Sequence, residues 1–341
     1  MSEALVAPTL EVVICTYNNA AMLDGVLTAL ASQKPIENAR WSCLVVDNNC
    51  RDDTQNVVRR HIIAGAIPGL RSVREPEQGL TSARLRGVTC STAQWIAFVD
   101  DDCFLRSDWI AQAIAFAESQ PWVGAFGGRV VLDWEVDPPH HVRAFGYSFA
   151  EQDQGDSQHQ VGFLAGAGLI VNRSALSASG WVDGPLLADR VGDNLISGGD
   201  VEIVLRIAGV GRELWYVPEC ELYHRIPARR ISLWYLININ RNLGVSQALA
   251  DALVFDGSTL RWLTGAALQA AKQVLGLALL PFDAPRRSRP PGELLIQASF
   301  QIGQLLGIWR ILAMSSARRR ELVGRARRGP LQELFRPGGV A

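Results

Sequence analysis

The sequence lacks a strong net charge, paired cysteines and internal repeats. Its formal charge is −1 over 341 residues, which gives no general reason to expect a nucleic-acid partner. None of the six cysteines stands in a C-x-x-C pair, so we expect no cysteine-based metal site, and free thiols in a reducing cytoplasm are the expectation. The missing repeat excludes architectures built from a fixed period.

Long uncharged apolar runs are also missing. Residues 1–5 lack a basic segment followed by an apolar stretch, so we expect no secretory signal. Residues 262–280 and 296–314 are apolar but interrupted by lysine, glutamine or arginine, which fits a spanning helix poorly. Arginines cluster at 286–289 and 318–320. Two interpretations stay open: helices lying on the cytoplasmic face of a membrane, or amphipathic helices packed on the globular part.

The chain does contain a pattern of apolar strands that alternate with helices. Hydrophobic residues make up 48% of it, enough for an extensive core. Strands are predicted at 10–15, 43–46, 70–74 and 95–99, and later at 124–131, 162–171 and 214–217. Helices are predicted between the first four strands and at 200–208 and 232–249. This pattern predicts an α/β fold with a mostly parallel sheet flanked by helices.

Three consecutive carboxylates, Asp100, Asp101 and Asp102, follow the fourth predicted strand. Open α/β sheets place ligands at such strand ends. Three anions repel one another unless a cation holds them, and Mg²⁺ or Mn²⁺ suits oxygen ligands. These metals usually accompany phosphate, so the cluster predicts a phosphorylated substrate, with Asp102 on the metal and an earlier carboxylate on a ribose hydroxyl. The alternative is an exposed acidic turn that caps the helix opening near Ser107.

Polar residues also close the first two strands. Thr16, Tyr17 and Asn18 follow one, and Asp47 ends the other, which places them at the same sheet edge as the acidic cluster. Asp47 could accept a hydrogen bond from a nucleotide base, or it could cap the helix that starts near residue 53. Arg84 and Arg86 stand two apart on a predicted helix and cannot share one face, so at most one of them meets a nucleotide.

The second half of the chain contributes three more candidates. Asp200 follows two glycines at a helix start, where it could act as a general base or serve as the helix N-cap. Glu202 could orient Asp200 or contact an acceptor. His224 follows a predicted strand and is either a further metal ligand or a structural histidine.

Together these segments resemble the family 2 glycosyltransferases with the GT-A fold, over about residues 11–246. The motifs that carry the resemblance occur in order: Val13-Ile14-Cys15-Thr16-Tyr17-Asn18, Val45-Val46-Asp47-Asn48-Asn49, Gln78-Gly79-Leu80 with Ala83-Arg84, Phe98-Val99-Asp100-Asp101-Asp102, and Asp200-x-Glu202. Residues 134–139, 165–171, 215–218 and 222–227 look like a narrower bacterial group, the glycosyltransferases of hormogonium polysaccharide biosynthesis.

The resemblance implies a UDP- or GDP-linked sugar donor, a divalent metal and inversion at the anomeric carbon. Asp47 and Arg84 would contact the base, Asp100 or Asp101 the ribose and sugar, and Asp102 the metal. Asp200 would be the general base. The acceptor would be a glycan or lipid-linked hydroxyl in polysaccharide biosynthesis.

The implied organisation is a GT-A catalytic domain at 8–250, divided into a nucleotide-binding half (8–120) and an acceptor-binding half (121–250). A helical, basic region at 251–341 follows, with the proline-rich stretch 281–291 as a linker.

Two departures from the family pattern qualify the resemblance. The family usually has an acidic residue just before the base, where this chain has Gly199. The Gln-x-x-Arg-Trp motif of processive synthases is absent after Asp200, which favours single addition. Two other functions stay open: a sugar-1-phosphate nucleotidyltransferase, although Thr16-Tyr17-Asn18-Asn19 is no glycine-rich phosphate loop, and a catalytically weak scaffold with the same fold.

Overall fold

Four parallel strands form the first half of the main sheet. The computed structural model describes residues 9–36, 40–187, 189, 196–287 and 290–326, with the backbone alone for 281–287. The strands lie in the order β3-β2-β1-β4. Their bounds are β1 Leu10–Thr16, β2 Trp41–Asp47, β3 Arg71–Arg74 and β4 Trp95–Asp100. Thr16 is in register with Asp47, and Cys15 with Asp100, so these strand ends meet at one edge.

Helices cover both faces of this half-sheet. They are α1 (Ala20–Ala31), α2 (Thr54–Ala64), α3 (Leu80–Cys90) and α4 (Trp109–Ser119). Alternate residues of β1 enter separate cores, with Val12 and Ile14 on one side and Val13 on the other. Burial of each such side chain contributes about 1.5–3 kcal/mol. This explains why strands that read as continuous apolar runs became central parallel strands.

The second half of the main sheet is mixed. The order continues from β4 through β9, β6 and β10 to β8, where β9 is antiparallel to β4 and β6. The bounds are β6 Ala125–Gly127, β8 His159–Val161, β9 Leu169–Asn172 and β10 Leu214–Tyr216. The prediction of a mostly parallel sheet thus describes the first half better. β10 runs parallel to β6 and antiparallel to β8 at the edge of the sheet.

A smaller sheet holds β5 (Cys103–Leu105), β11 (Leu222–Ile226) and β7 (Val130–Trp134), in that order. β5 starts directly after the acidic cluster, and β11 runs antiparallel to it with His224 paired to Cys103. This pairing brings His224 beside the acidic cluster.

Two predicted strands are shorter than expected. The strand predicted at 124–131 is divided into β6 and β7 at Gly128, where a Cβ would overlap the backbone of Cys220. The strand predicted at 162–171 begins only at Leu169. Short helices in this part are α5 (His140–Arg143), α6 (Arg173–Ala178) and the 3-10 helices Gly146–Phe149 and Ala228–Arg230. The longer α7 spans Gly199–Gly209.

The C-terminal region is helical, as predicted. It contains α8 (Leu233–Leu253), α9 (Thr259–Arg287), α10 (Pro291–Ala313) and α11 (Ser316–Leu322). Helices α8 and α10 pack closely because Gly244 and Gly303 have no side chains: a Cβ at either would overlap the backbone of the other helix. The predicted linker at 281–291 is wrong in part, since the backbone of α9 stays helical through two prolines up to Arg287. Those prolines remove amide donors without ending the helix.

Candidate active site

A cavity of about 1120 Å³ opens at the carboxyl edge of β1 and β4. The 3-10 helix at 146–149, the loop before β9, the start of α7, and parts of α8 and α10 complete its wall. Small-molecule pockets usually measure about 300–1,000 Å³, so this cavity has room for a large ligand. Nine predicted site residues line it: Thr16, Tyr17, Asn18, Arg84, Asp100, Asp101, Asp102, Asp200 and His224.

Asp101 is held by two side chains of the first strand's end. Its carboxylate accepts hydrogen bonds from Thr16 Oγ1 at 2.6 Å and from Asn19 Nδ2 at 2.8 Å. Burial and the neighbouring Asp102 raise the pKa of Asp101 to about 7, although these hydrogen bonds act in the opposite direction. Asp101 and Asp102 are therefore at least partly buried and hydrogen-bonded, unlike the carboxylates of an exposed turn.

Asp102 is buried and faces cationic groups from the second half of the chain. Its Oδ2 accepts a hydrogen bond from Arg230 Nη1 at 3.0 Å and lies 3.4 Å from His224 Nε2. The backbone carbonyl of Asp102 also accepts a hydrogen bond from the Arg225 amide in β11. The carboxylate thus belongs to the junction of both sheets.

His224 presents one defined nitrogen to Asp102. Its Nδ1 lies 2.7 Å from the carbonyl oxygen of Phe149, and a carbonyl only accepts, so Nδ1 carries the hydrogen. Nε2 and the Asp102 carboxylate would then both be acceptors, which requires a proton or cation between them. Burial lowers the pKa of His224, but the charge of Asp102 and the hydrogen bonds outweigh it and raise the pKa overall.

Asp102 and His224 form a ligand pair that fits a divalent metal. The Asp102 carboxylate oxygen suits Mn²⁺ or Mg²⁺, and the His224 imidazole nitrogen suits a transition metal. Cys103 lies in the same group, whose potential ligand atoms are all within 4.8 Å of one another. Burial raises the pKa of the Cys103 thiol well above its usual range, and sulfur is a soft ligand that suits a hard cation poorly.

Arg84 lies in the cavity wall with its guanidinium 5.7 Å from the centre of the Phe98 ring. Its Nη1 donates to Asp189 Oδ2 at 2.9 Å, and its Nη2 is 4.0 Å from Asp100 Oδ1. Burial lowers the pKa of Arg84, but Asp189, Asp200 and Asp100 raise it overall. Arg86 is not among the cavity-lining residues, and contact of either arginine with a nucleotide stays a prediction.

Asp200 lies in the first turn of α7, whose N-cap position is Gly198. It therefore does not take the N-cap place. Its Oδ1 accepts the adjacent Val201 amide at 3.0 Å. The carboxylate lies against Gly166, where a Cβ would be 2.8 Å from Asp200 Cγ. The glycine thus creates the space in which Asp200 faces the cavity.

The structure places two predicted residues outside the cavity wall. Glu202 is fully buried, accepts the amides of Leu186 and Leu187 at 2.8–2.9 Å, and pairs with Arg206 at 2.6 Å. Contact with an acceptor does not fit this burial, so Glu202 supports the fold instead. Asp47 accepts the Cys50 amide at 2.7 Å and Gln55 Nε2 at 3.2 Å. Its contact with a nucleotide base stays a prediction.

Some residues at or next to the site were not predicted, among them Asn48, Arg230 and Asp189. Asn48 holds the loop before α3 by accepting the Gly79 amide at 2.8 Å and donating to the Glu77 carbonyl at 2.6 Å. Asn48 belongs to the motif at residues 45–49 and could have been found from the sequence. Arg230 and Asp189 meet partners 128 and 105 residues away, for which the sequence has no local signal.

Comparison with known proteins identifies the fold and family. Residues 11–180 match the model of Glycosyl transferase family 2. Glycosyltransferase AglE of Haloferax volcanii is 28% identical over 224 residues, covering 65% of this chain and 68% of AglE. The succinoglycan biosynthesis protein ExoM of Rhizobium meliloti is 25% identical over 311 residues, covering 89% of this chain and 94% of ExoM.

A solved structure shares the architecture over most of the chain. The mannosyltransferase PcManGT from Pyrobaculum calidifontis, in complex with GDP-Man and Mn²⁺, superposes with a TM-score of 0.58 at 19% identity. The match covers 90% of this chain and 88% of that one. The predicted GT-A fold is confirmed. The closer likeness to the hormogonium polysaccharide enzymes stays a prediction.

Proposed function

This chain is a family 2 glycosyltransferase, and we propose that it adds a single sugar, with inversion, from a nucleotide-diphosphate donor to a hydroxyl of a glycan or lipid-linked acceptor. One observation carries the proposal. Asp200 and the cluster Asp100, Asp101 and Asp102 line the same cavity, which supports a base and a diphosphate site that share one ligand.

The base acts on the acceptor. Asp200 takes the proton of the acceptor hydroxyl as its oxygen attacks the anomeric carbon. The bond from that carbon to the diphosphate breaks, and the nucleoside diphosphate leaves with the electron pair. Attack from the face opposite the leaving group inverts the configuration. General-base assistance of this kind is worth about 10²–10⁴-fold.

The other cavity residues bind the donor. Thr16, Tyr17 and Asn18 at the end of β1, together with Arg84, face the space beside Asp100 and Asp101. Asp102 and His224 would hold a divalent cation, either Mn²⁺ or Mg²⁺. That cation, when bound, supplies Lewis-acid stabilisation of the charge that develops on the leaving diphosphate. The GDP-Man and Mn²⁺ bound to PcManGT support this donor class and a metal in the present chain.

The acceptor belongs to polysaccharide biosynthesis. The name of ExoM supports that setting, since its sequence aligns with nearly the whole chain. The sequence lacks the processive motif, which supports one addition per acceptor.

The C-terminal helices support contact with a membrane surface. Within the described residues one helix, Thr259–Leu280, is long and apolar enough to span a membrane by length and composition. In α9, Leu268, Leu275 and Leu279 share a face and are 74%, 59% and 48% exposed. In the adjacent α10, Trp309 is 64% exposed. We place this apolar surface on the cytoplasmic face of the membrane, where it would bring lipid-linked acceptors within reach of the cavity.

A donor panel tests the function. The full chain is incubated with Mn²⁺ and with UDP-glucose, UDP-N-acetylglucosamine or GDP-mannose, and nucleoside diphosphate release is followed. Slow release from one donor supports a glycosyltransferase. Pyrophosphate release from a sugar 1-phosphate and a nucleoside triphosphate would instead establish a nucleotidyltransferase. A chain that binds no nucleotide would be a scaffold.

A further inference from the structure

The Arg84 guanidinium has a buried partner that neither the motifs nor the mechanism use. Arg84 Nη1 lies 2.9 Å from Asp189 Oδ2, and the two side chains are only 4% and 1% exposed. Removing one member of such a buried pair leaves an uncompensated charge. Asp189 therefore holds the orientation of Arg84. It contacts Nη1, whereas Nη2 lies toward Asp100.

The same carboxylate fills the space beside Gly199. A Cβ at position 199 would lie 3.1 Å from Asp189 Cγ and closer still to Oδ2, and 3.2 Å from Thr81 Oγ1. The separation from Oδ2 is about that between Cβ and a carboxylate oxygen within one aspartate side chain. The Asp189 oxygen thus lies at the distance from this Cβ at which a short acidic side chain at position 199 would hold its own oxygen.

Position 199 is adjacent to the candidate base. It opens α7, and Asp200 follows it in the same turn. Arg84 is close enough to both Asp100 and Asp200 for their charges to act on it. The charges of both carboxylates therefore act on the guanidinium that Asp189 holds by a direct ion pair.

We propose that Asp189 is a positioning residue for glycosyl transfer, which holds Arg84 beside the donor cluster and away from Asp200, and whose carboxylate occupies the space next to Gly199 at the start of α7. The inference rests on the proposed function. Without Asp189, Arg84 would turn to Asp200, and the resulting charged hydrogen bonds would use the lone pairs that must accept the acceptor proton.

A relocated carboxylate gives the sharpest test. Asp189→Ala, Gly199→Asp and the double variant are assayed with the donor found in the panel. We expect Asp189→Ala to lower kcat about tenfold or more, up to the loss of about 10²–10⁴-fold that removal of general-base assistance would cause, with the donor KM less affected. Gly199→Asp alone crowds two carboxylates and also lowers kcat. The double variant has one carboxylate again, and we expect it to recover most of the lost rate.

The outcomes separate a positioning role from a purely structural one. If Asp189 had only a structural role, its loss would leave a cavity and a broken ion pair that Gly199→Asp could not restore. A double variant no faster than Asp189→Ala therefore overturns the proposal. Near-normal kcat in Asp189→Ala overturns it as well. If Asp189→Ala does not fold, Asp189→Asn keeps the side-chain volume and removes the charge. Normal kcat in Asp189→Asn counts against the proposal. If Asp189→Asn also fails to fold, a double variant that folds but is inactive counts against it.

Controls separate this inference from the proposed function. Asp183→Asn changes an exposed carboxylate in the same segment and should leave kcat unchanged. Failure of the proposed function would appear as a wild-type chain that releases no nucleoside diphosphate from any donor. Failure of the inference would appear as an active wild-type chain whose Asp189 variants are equally active.

Discussion

The Asp200 carboxylate rests directly on the backbone of Gly166. A Cβ at residue 166 would be 2.7 Å from Asp200 Cβ and 2.8 Å from its Cγ. These separations are far shorter than van der Waals contact, and neither atom lies at the end of a long flexible side chain. The loop before β9 therefore fixes where the candidate base can lie.

Gly166→Ala should displace the base. We expect kcat to fall about 10²-fold or more, because a shift of about 1 Å in a catalytic group has costs of that size. The measurement is nucleoside diphosphate release with the active donor. Gly184→Ala is the matched control, since a Cβ there meets nothing within 4 Å. Equal activity of the two variants would show that Asp200 tolerates displacement.

Asp200→Asn should abolish transfer and leave donor binding intact. The amide keeps the shape of the side chain but cannot take a proton from the acceptor hydroxyl. Transfer rate and calorimetric binding of the nucleoside diphosphate with Mn²⁺ are measured on the same preparation. Near-normal transfer by this variant would remove Asp200 from the base role.

Asp102→Asn and His224→Gln should each weaken activation by Mn²⁺. Loss of one ligand is expected to raise the half-activating concentration about tenfold or more, since even groups that only support metal ligands cost about 10–100-fold. A manganese titration of donor hydrolysis measures it. Cys103→Ala is the control, because sulfur is a soft ligand that suits Mn²⁺ poorly. Activity that persists in EDTA would contradict a metal role for this pair.

The apolar face of α9 should determine attachment to lipid. Leu268→Glu with Leu275→Glu should reduce co-sedimentation with phosphatidylglycerol vesicles several-fold, since burying each leucine in the interface is worth about 1.5–3 kcal/mol. Ile63→Glu, on α2 and 78% exposed, is the control. A wild-type chain that stays in the supernatant at low salt would contradict the membrane proposal.

Glu202→Gln should destabilise the fold. Its ion pair with Arg206 is buried, with side chains 0% and 1% exposed, and breaking such a pair costs about 3–5 kcal/mol. Urea unfolding measures the change. The exposed pair of Arg318 and Glu321 offers a contrast, because Glu321→Gln should cost less than about 1 kcal/mol. Similar losses in both variants would show that the Glu202 pair contributes no more than a surface pair.

The donor side of the site could be predicted because its residues follow strand ends. Apolar runs identify β1, β2 and β4, and a parallel arrangement brings their ends to one edge. Thr16 and the acidic cluster therefore lie together, as predicted. The antiparallel insertion of β9 could not be predicted, because strand direction depends on loops whose sequence has no periodic signal.

Errors in the second half have identifiable causes. Glu202 stands four residues before Arg206, a spacing that places both on one helix face, so its ion pair was visible in the sequence. The roles of Asp189 and Arg230 were not visible, because each depends on a tertiary contact across more than a hundred residues. Residues 190–195, between Asp189 and α7, lie outside the described part of the chain.

The pairing of β5 with β11 has a practical consequence for engineering. β5 comes from the first 120 residues, and its partner β11 comes from the part beyond them. β4 and its partner β9 are divided between the two parts in the same way. A fragment cut near residue 120 would expose two unpaired strand edges, which invites aggregation. Chimeras that exchange donor and acceptor specificities between such enzymes should therefore graft loops onto the intact catalytic core instead of joining two halves.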